Sequence, residues 1–256
     1  MNLQNNKDVY STVEFNQWAH RAALLPAEQF VIEKYVDRAG PALEAGTGGG
    51  RIVLGMRDLG YQRLGGFDFV PDFIKEARTK DPEGRIDFRV ADATRLEYAD
   101  ASYRQVLYLQ QILSLIESDE MRQAALRESF RVLAPGGLAL FSLLSYEARR
   151  HQFPYNMFLA WNRAVRGLHG DRRGPQYWPW LKLGGKFNWP ALLDRGPYVY
   201  WFRVGELDQF FGAAGYRIEA VASVRQIESG RMMNSCAELE GQPLAGTLFV
   251  VCRKPT

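Results

Sequence analysis

The chain has 256 residues, 46% apolar and 13% aromatic, enough to bury one large core with room for an insertion. Its formal charge is only +3 with both signs intermixed, which excludes a global field demanding nucleic acid or an anionic membrane as partner. Only Cys236 and Cys252 are present, without a Cys-x-x-Cys pair or paired histidines, so neither a disulfide framework nor a metal site is expected.

Met1 to Asp8 is polar and lacks the charged-then-apolar order of a secretory signal, and no apolar run approaches the ~20 residues that span a bilayer. A cytoplasmic protein without an integral membrane segment is expected. From there apolar runs alternate with helical patterns, the signature of consecutive βαβ units in a parallel sheet with helices on both faces. Pro41 to Ala45 reads as the first strand; a glycine turn follows, and Ile52, Val53, Met56 and Leu59 recur at helical spacing until Gly60 stops them. Arg63 to Asp68 is a second strand, with Pro71 opening a helix that carries Phe73, Ile74 and Ala77 on one face. Ile86 to Val90 and Gln105 to Leu109 are the third and fourth strands. Ser118-Asp119-Glu120 opens a helix carrying Met121, Ala125, Val132 and Leu133 inward and ending at Pro135-Gly136-Gly137. Leu138 to Leu144 is the fifth strand; after a long interruption a helix near 204–214 precedes strands at 216–224 and 247–252.

Glu44-Ala45-Gly46-Thr47-Gly48-Gly49-Gly50 lies between a strand and a helix, where backbone can approach a ligand that side chains would obstruct. A dinucleotide fingerprint needs its third glycine at position 51, where this chain has Arg51, and Glu44 would repel a pyrophosphate. A carboxylate at that strand end suits a cationic group instead.

Residues 42–50 resemble the first motif of class I S-adenosylmethionine-dependent methyltransferases, and further matches follow in order. Gly66-Phe67-Asp68-Phe69-Val70-Pro71 resembles that family's second-strand ending, which implies that Asp68 holds both ribose hydroxyls. Val90-Ala91-Asp92-Ala93-Thr94 resembles the next motif, whose Asp, here Asp92, faces the adenine amino group with the following backbone N–H alongside. Carboxylates accept well from two hydroxyls or an exocyclic amine. Leu126 to Leu140, and 202–207 with 214–216, are similar to the family's later elements. The resemblance covers 41–144 and 202–252. It implies a Rossmann-like seven-stranded α/β sheet of order 3-2-1-4-5-7-6 with strand seven antiparallel, and S-adenosylmethionine bound by Glu44, Ala45, Gly46, Thr47, Gly48, Gly50, Asp68, Phe69, Asp92, Ala93, Leu109 and Gln110. It departs at Arg104-Gln105, where the family usually has Asp before strand four, and the Asn-Pro-Pro-Tyr signature of amino-methylating nucleic-acid enzymes is absent from the strand-four exit.

Four segments are expected: an N-terminal helical segment over the cofactor (1–40), the cofactor-binding core (41–145), a cap insertion (146–202) and the end of the core (203–256). The cap holds Trp161, Trp178, Trp180, Trp189 and Trp201, five of the six tryptophans, and nine Lys or Arg against Glu147, Asp171 and Asp194. Phe158, Trp161, Val165 and Leu168 share one helical face, while 175–180 reads as an aromatic loop. Such a cap suits an aromatic or apolar acceptor with an anionic group; Trp18, Tyr155, Trp161 and Trp178 are the substrate candidates, most cap aromatics serving the cap's own core. Methyl transfer from a sulfonium needs positioning more than a catalytic group; if the acceptor requires a base, His151 is the first candidate, ahead of His20, His169 and Tyr155. A small-molecule methyltransferase, monomeric or homodimeric, is the leading expectation. The alternatives are an RNA-directed enzyme and a non-catalytic cofactor- or lipid-binding protein, since Trp beside Lys and Arg also suits a membrane interface. The polar stretch 228–245 reads as a substrate loop or a mobile one.

Overall fold

In the computed structural model, which describes residues 6–150 and 152–256, three helices precede the first strand: α1 (Asn6–Ser11), α2 (Phe15–His20) and α3 (Pro26–Tyr35). Strand and helix then alternate as β1 (Ala42–Ala45), α4 (Arg51–Asp58), β2 (Leu64–Asp68), α5 (Pro71–Thr79), β3 (Ile86–Val90), β4 (Tyr103–Tyr108), α6 (Ile112–Leu115), α7 (Asp119–Val132) and β5 (Leu133–Leu144). The boundaries have local causes. Pro71 starts α5 with its φ already helical, and the Ser118 hydroxyl caps α7 by accepting from the Met121 N–H at 3.2 Å. The cap follows as α8 (Tyr146–Arg150), α9 (Tyr155–His169) and four short strands, β6 (Tyr177–Pro179), β7 (Lys182–Leu183), β8 (Lys186–Phe187) and β9 (Tyr198–Tyr200), with a 3-10 turn at Trp189–Leu193. The chain ends with α10 (Leu207–Gly212), β10 (Arg217–Ser223), α11 (Val224–Glu228), α12 (Cys236–Leu239) and β11 (Thr247–Arg253).

The large sheet runs β3-β2-β1-β4-β5-β11-β10, with β11 antiparallel to both neighbours and the other core pairs parallel. With the four cap strands set aside this is the order 3-2-1-4-5-7-6. Both sheet faces are buried, which explains why its strands read as nearly continuous apolar runs. On one face Val106 and Tyr108 of β4 pack with Phe141, Leu126 of α7 and Phe211 of α10. On the other, Leu107 packs with Leu140, Val31 of α3, Met56 of α4 and Ile74 of α5. Each fully buried side chain of this size contributes ~1.5–3 kcal/mol, so the two layers hold every strand end in place.

Three expectations are corrected. Strand five begins at Leu133, not 138: α7 stops at Val132, Leu133 pairs with Tyr103, and the Pro135-Gly136-Gly137 excursion is held by the C-terminal segment, Gly136 N–H to Lys254 O and Lys254 N–H to Gly137 O, both 3.0 Å. The 175–180 stretch is not a loop, because Tyr177–Pro179 forms β6 against β9. The buried face of α9 is Asn162, Val165 and Arg166, leaving Trp161 and Leu168 exposed, because the Arg166 guanidinium makes a two-pronged pair with Asp194 at 2.8 and 2.9 Å. Residues 228–245 include α12 and are pinned to the sheet by the Val221–Met233 pair, at 2.8 and 2.9 Å. At the strand-four entrance, the Arg104 and Gln105 N–H groups both donate to Pro41 O, so an ordinary backbone anchor stands where the family's Asp is missing.

Candidate cofactor and substrate site

The glycine turn leaves β1 with Gly46, Gly48 and Gly50 at φ of 62°, 54° and 83°, a left-handed sequence that glycine adopts without steric cost. Glu44 is fully buried beneath it. One of its oxygens accepts from the Thr47 hydroxyl at 2.7 Å and the Val53 N–H at 3.3 Å, and the other lies 3.5 Å from the Gln110 amide. Burial pushes its pKa up to about 7, opposed first by the Thr47 bond and then by nearby Arg51. Asp68, at the end of β2, accepts from the Gly48 N–H and the Val70 N–H, both at 3.0 Å, and thereby fixes the turn against the second strand. Burial raises its pKa to about 6 against those same backbone bonds.

The N-terminal helices close the turn from outside. The Gly49 N–H donates to Trp18 O at 3.3 Å, and a Cβ at Gly49 would lie 2.0 Å from the Ala19 carbonyl oxygen, so this position must be bare. Arg51, buried, makes a two-pronged pair with Glu28 of α3 at 2.6 and 2.7 Å and also donates to Ala23 O. The residue that breaks the dinucleotide pattern therefore ties the N-terminal helices to the turn.

A cavity of about 910 Å³ opens where β1, β2 and β4 end, at the reversal of strand order where ligands of open α/β sheets bind. Among the predicted residues, Gly46, Gly48, Asp68, Phe69, Asp92, Ala93 and Gln110 line it, together with Trp18. Asp92 sits at its rim, one oxygen taken by the Thr94 N–H and hydroxyl at 2.8 Å and the other free of those bonds. Glu44, Ala45, Thr47, Gly50 and Leu109 do not line it. Glu44 and Thr47 brace the turn from behind, Gly50 faces Leu54, Phe88 and Ala77, and Ala45 and Leu109 are core. A shallower groove of about 690 Å³ lies at the other end of β2 and β3, between Arg63, Arg85 and Tyr103, away from the strand exits.

The cap candidates sit elsewhere. Trp178 is buried in the cap's own core against Tyr155 and Trp201, and Trp161 is exposed with its indole N–H on Leu192 O. His151 lies outside the described residues. His20 faces Glu76 on the surface at 3.4 Å, His169 ends α9, and neither they nor Tyr155 lines the cavity. The far wall is formed by Lys7 and Tyr10 of α1, within the segment expected to cover the cofactor, and by Phe73, Ile112, Leu115 and Met121, which sequence reasoning did not place in the site. The signal for Ile112 and Leu115 was the apolar run directly after strand four; for Lys7 and Tyr10 it was the resemblance of the N-terminal segment to helices that cover the cofactor. At that strand exit Gln110 and Gln111 take φ of 61° and 62°, two successive left-handed non-glycine residues, a strain of ~1–3 kcal/mol each that well-fixed functional sites sustain. The Gln111 N–H donating to Ser142 Oγ at 3.0 Å helps hold it.

Comparison with known proteins agrees with this geometry. The profile of a family described as a methyltransferase domain matches residues 42–137. Over those residues the α/β core is similar to a methyltransferase domain, and its fold is shared with solved methyltransferase structures. Across 132 residues the chain is 30% identical to the ubiquinone/menaquinone biosynthesis C-methyltransferase UbiE of Desulfotalea psychrophila, a match covering 51% of this chain; it spans about half, 52%, of that relative's length. Among solved structures it resembles an S-adenosylmethionine-dependent methyltransferase of Methanosarcina mazei (TM-score 0.65, 18% identity, 91% and 99% of the two chains) and the CcbJ methyltransferase of Streptomyces caelestis (TM-score 0.64, 14% identity, 99% of each).

The similar Methanosarcina mazei protein is S-adenosylmethionine-dependent, and the cavity of this chain has groups that fit that cofactor. The turn presents bare backbone, and each Asp68 oxygen keeps a lone pair beyond its one backbone bond. The Trp18 indole N–H is buried on the cavity wall without a partner, a donor waiting for an acceptor.

Proposed function

We propose that this chain transfers the methyl group of S-adenosylmethionine to a small, largely apolar or aromatic acceptor bound in the same cavity. The observation that carries the reading is the convergence of Gly46, Gly48, Asp68 and Asp92 on one wall of a cavity whose opposite wall is apolar. Bound, the cofactor supplies a methyl group already activated on a positive sulfur, so the protein's work is orientation and exclusion of water. In this reading Asp68 accepts from the ribose hydroxyls and Asp92 from the adenine amine, while Gln110 borders the methionine part. Tyr10, Trp18, Phe69 and Phe73 keep water from the reacting atoms, and α1 and α2 cover the cofactor.

Acceptor class follows from the far wall. Phe73, Ile112, Leu115, Ile116 and Met121 suit an apolar body, and Lys7, whose ammonium is 5.9 Å from the Phe69 ring centroid, suits an anionic group on it. The named activity of the UbiE relative, C-methylation in quinone biosynthesis, supports an aromatic acceptor. Wall charge is mixed, with Lys7 and Arg95 beside Glu97 and Glu117, unlike the uniformly basic track of an RNA-directed enzyme. Two free buried thiols, Cys236 and Cys252, support a reducing, cytoplasmic setting.

The test is transfer of a labelled methyl group into separated small-molecule, lipid, RNA and protein fractions of a cell extract. Label in the small-molecule or lipid fraction is expected. Label in RNA or protein, or cofactor binding without transfer to any fraction, contradicts the reading.

A further inference from the structure

Helix α9 buries a mixed polar and apolar face and leaves an apolar one exposed. Its inner face, Asn162, Val165 and Arg166, is buried against the cap. Its outer stripe, Met157, Trp161 and Leu168, recurs at i, i+4 and i+11 and is 61%, 53% and 86% exposed, with Phe153 one turn earlier at 77%. The indole of Trp161 donates to Leu192 O at 2.7 Å, joining this stripe to the 3-10 turn 189–193, which adds exposed Trp189 and Leu193. Phe187 extends it, edge-on to Trp189 at 4.9 Å between centroids. Seven of the eleven strongly exposed large apolar residues among those described thus fall in one segment, so they form a surface feature and not scattered exposure.

The charges of that segment are sorted. Asp194 is taken by Arg166, Asp171 by Arg173, and Glu147 is half-buried. Arg163, Arg172, Lys182, Lys186 and Arg195 are exposed and enter no ion pair among the described residues. The cap is therefore apolar and cationic on its outside, while the rest of the chain is net negative.

We propose that this face of the cap docks on an anionic lipid bilayer surface, with α9 lying in the interfacial plane. Apolar side chains enter the headgroup–acyl boundary, and the long Arg and Lys stems let their charged heads remain among lipid phosphates. Two rivals fit less well. A two-fold dimer through this face would set its unpaired cations against their own copies, a like-charge contact. RNA would use the aromatics for stacking but leave aliphatic Met157, Leu168 and Leu193 without a partner. Docking also fixes orientation, because the net-negative remainder is repelled by the same surface. It would bring the bilayer near the cavity wall, since Trp180 and Tyr198 of the cap hold Asn6 at 3.1 and 3.0 Å. The proposal does not depend on which acceptor is methylated.

The test is co-sedimentation of the full chain with vesicles of phosphatidylcholine alone and of phosphatidylcholine mixed with phosphatidylglycerol, across a salt series. Binding to the mixed vesicles that weakens with salt is expected, with Trp emission shifted to the blue. Trp189→Ser with Leu168→Ser, and separately Arg172→Glu with Lys186→Glu, should each lower partitioning about tenfold with unchanged thermal melting. Absence of binding to the mixed vesicles overturns the proposal, as do variants that bind like the parent. A dimer in sedimentation velocity that Trp189→Ser dissociates, without vesicle binding, assigns the face to a second copy and overturns it. Salt-sensitive retention of RNA in place of vesicles overturns it as well.

Discussion

Replacing Asp68 by alanine perturbs two sets of bonds. Within the protein, the Gly48 and Val70 N–H groups, each 3.0 Å from the carboxylate, lose their acceptor. An unpaired buried donor costs ~1–3 kcal/mol, toward the lower end here because the adjoining cavity admits water. Toward the ligand, the remaining lone pairs of the carboxylate would take two ribose hydroxyls. Losing those charge-assisted bonds weakens binding by about 1–3 kcal/mol, or ~5- to 150-fold in Kd. Asp68→Asn keeps the shape and one acceptor, and should fall between. Titration calorimetry with S-adenosylhomocysteine reads the affinity, and thermal melting confirms that each variant is folded. An unchanged Kd in a folded Asp68→Ala protein removes Asp68 from the cofactor site and refutes the reasoning.

Glu28→Ala strands the buried Arg51 guanidinium, which keeps only Ala23 O, and should destabilise the fold by about 3–5 kcal/mol in urea denaturation; a loss below about 1 kcal/mol contradicts the tie between α3 and the turn. Gly49→Ala drives a methyl into the Ala19 carbonyl, so α2 must shift; cofactor affinity should fall at least tenfold by calorimetry, and parent-like affinity argues that the turn is not closed by α2. Burial raises the pKa of Glu44 to about 7 from an ordinary 4.5, so between those values the folded protein binds more protons than the unfolded one and stability falls as pH rises. The stability of the parent relative to Glu44→Gln should therefore decline from pH 4.5 to pH 7 and level off above it; a flat difference shows that burial does not perturb this carboxyl.

The alternation of strands and helices, the glycine turn and the two acidic strand ends were legible because each rests on local chemistry. Pro71 at a helix start, Ser118 as a cap and the run of left-handed glycines need no distant partner. The cap was less legible because its organisation is non-local. Arg166, outside the apolar face expected of α9, is drawn inside by Asp194, 28 residues away, and this turns α9 so that Trp161 and Leu168 face out. Likewise β6 exists only through pairing with β9, which a short run such as Tyr177-Trp178-Pro179 does not announce. Within the site, the acidic residue of the first motif was assigned to the ligand, whereas Thr47, Val53 and Gln110 take it into the turn's interior. Sequence separated cavity-lining Asp68 from bracing Glu44 no better than their shared position at strand ends allows. The N-terminal cover was expected, but which of its side chains line the cavity was not legible: Lys7 and Tyr10 reach it only because α1 and α2 fold back over the turn.

The most direct test of the account is a crystal structure of the chain with S-adenosylhomocysteine. It should show the ligand in the cavity at the ends of β1, β2 and β4, its ribose on Asp68 and its adenine beside Asp92. Density for the ligand elsewhere, or with Asp68 and Asp92 both out of reach of it, would contradict the central claim.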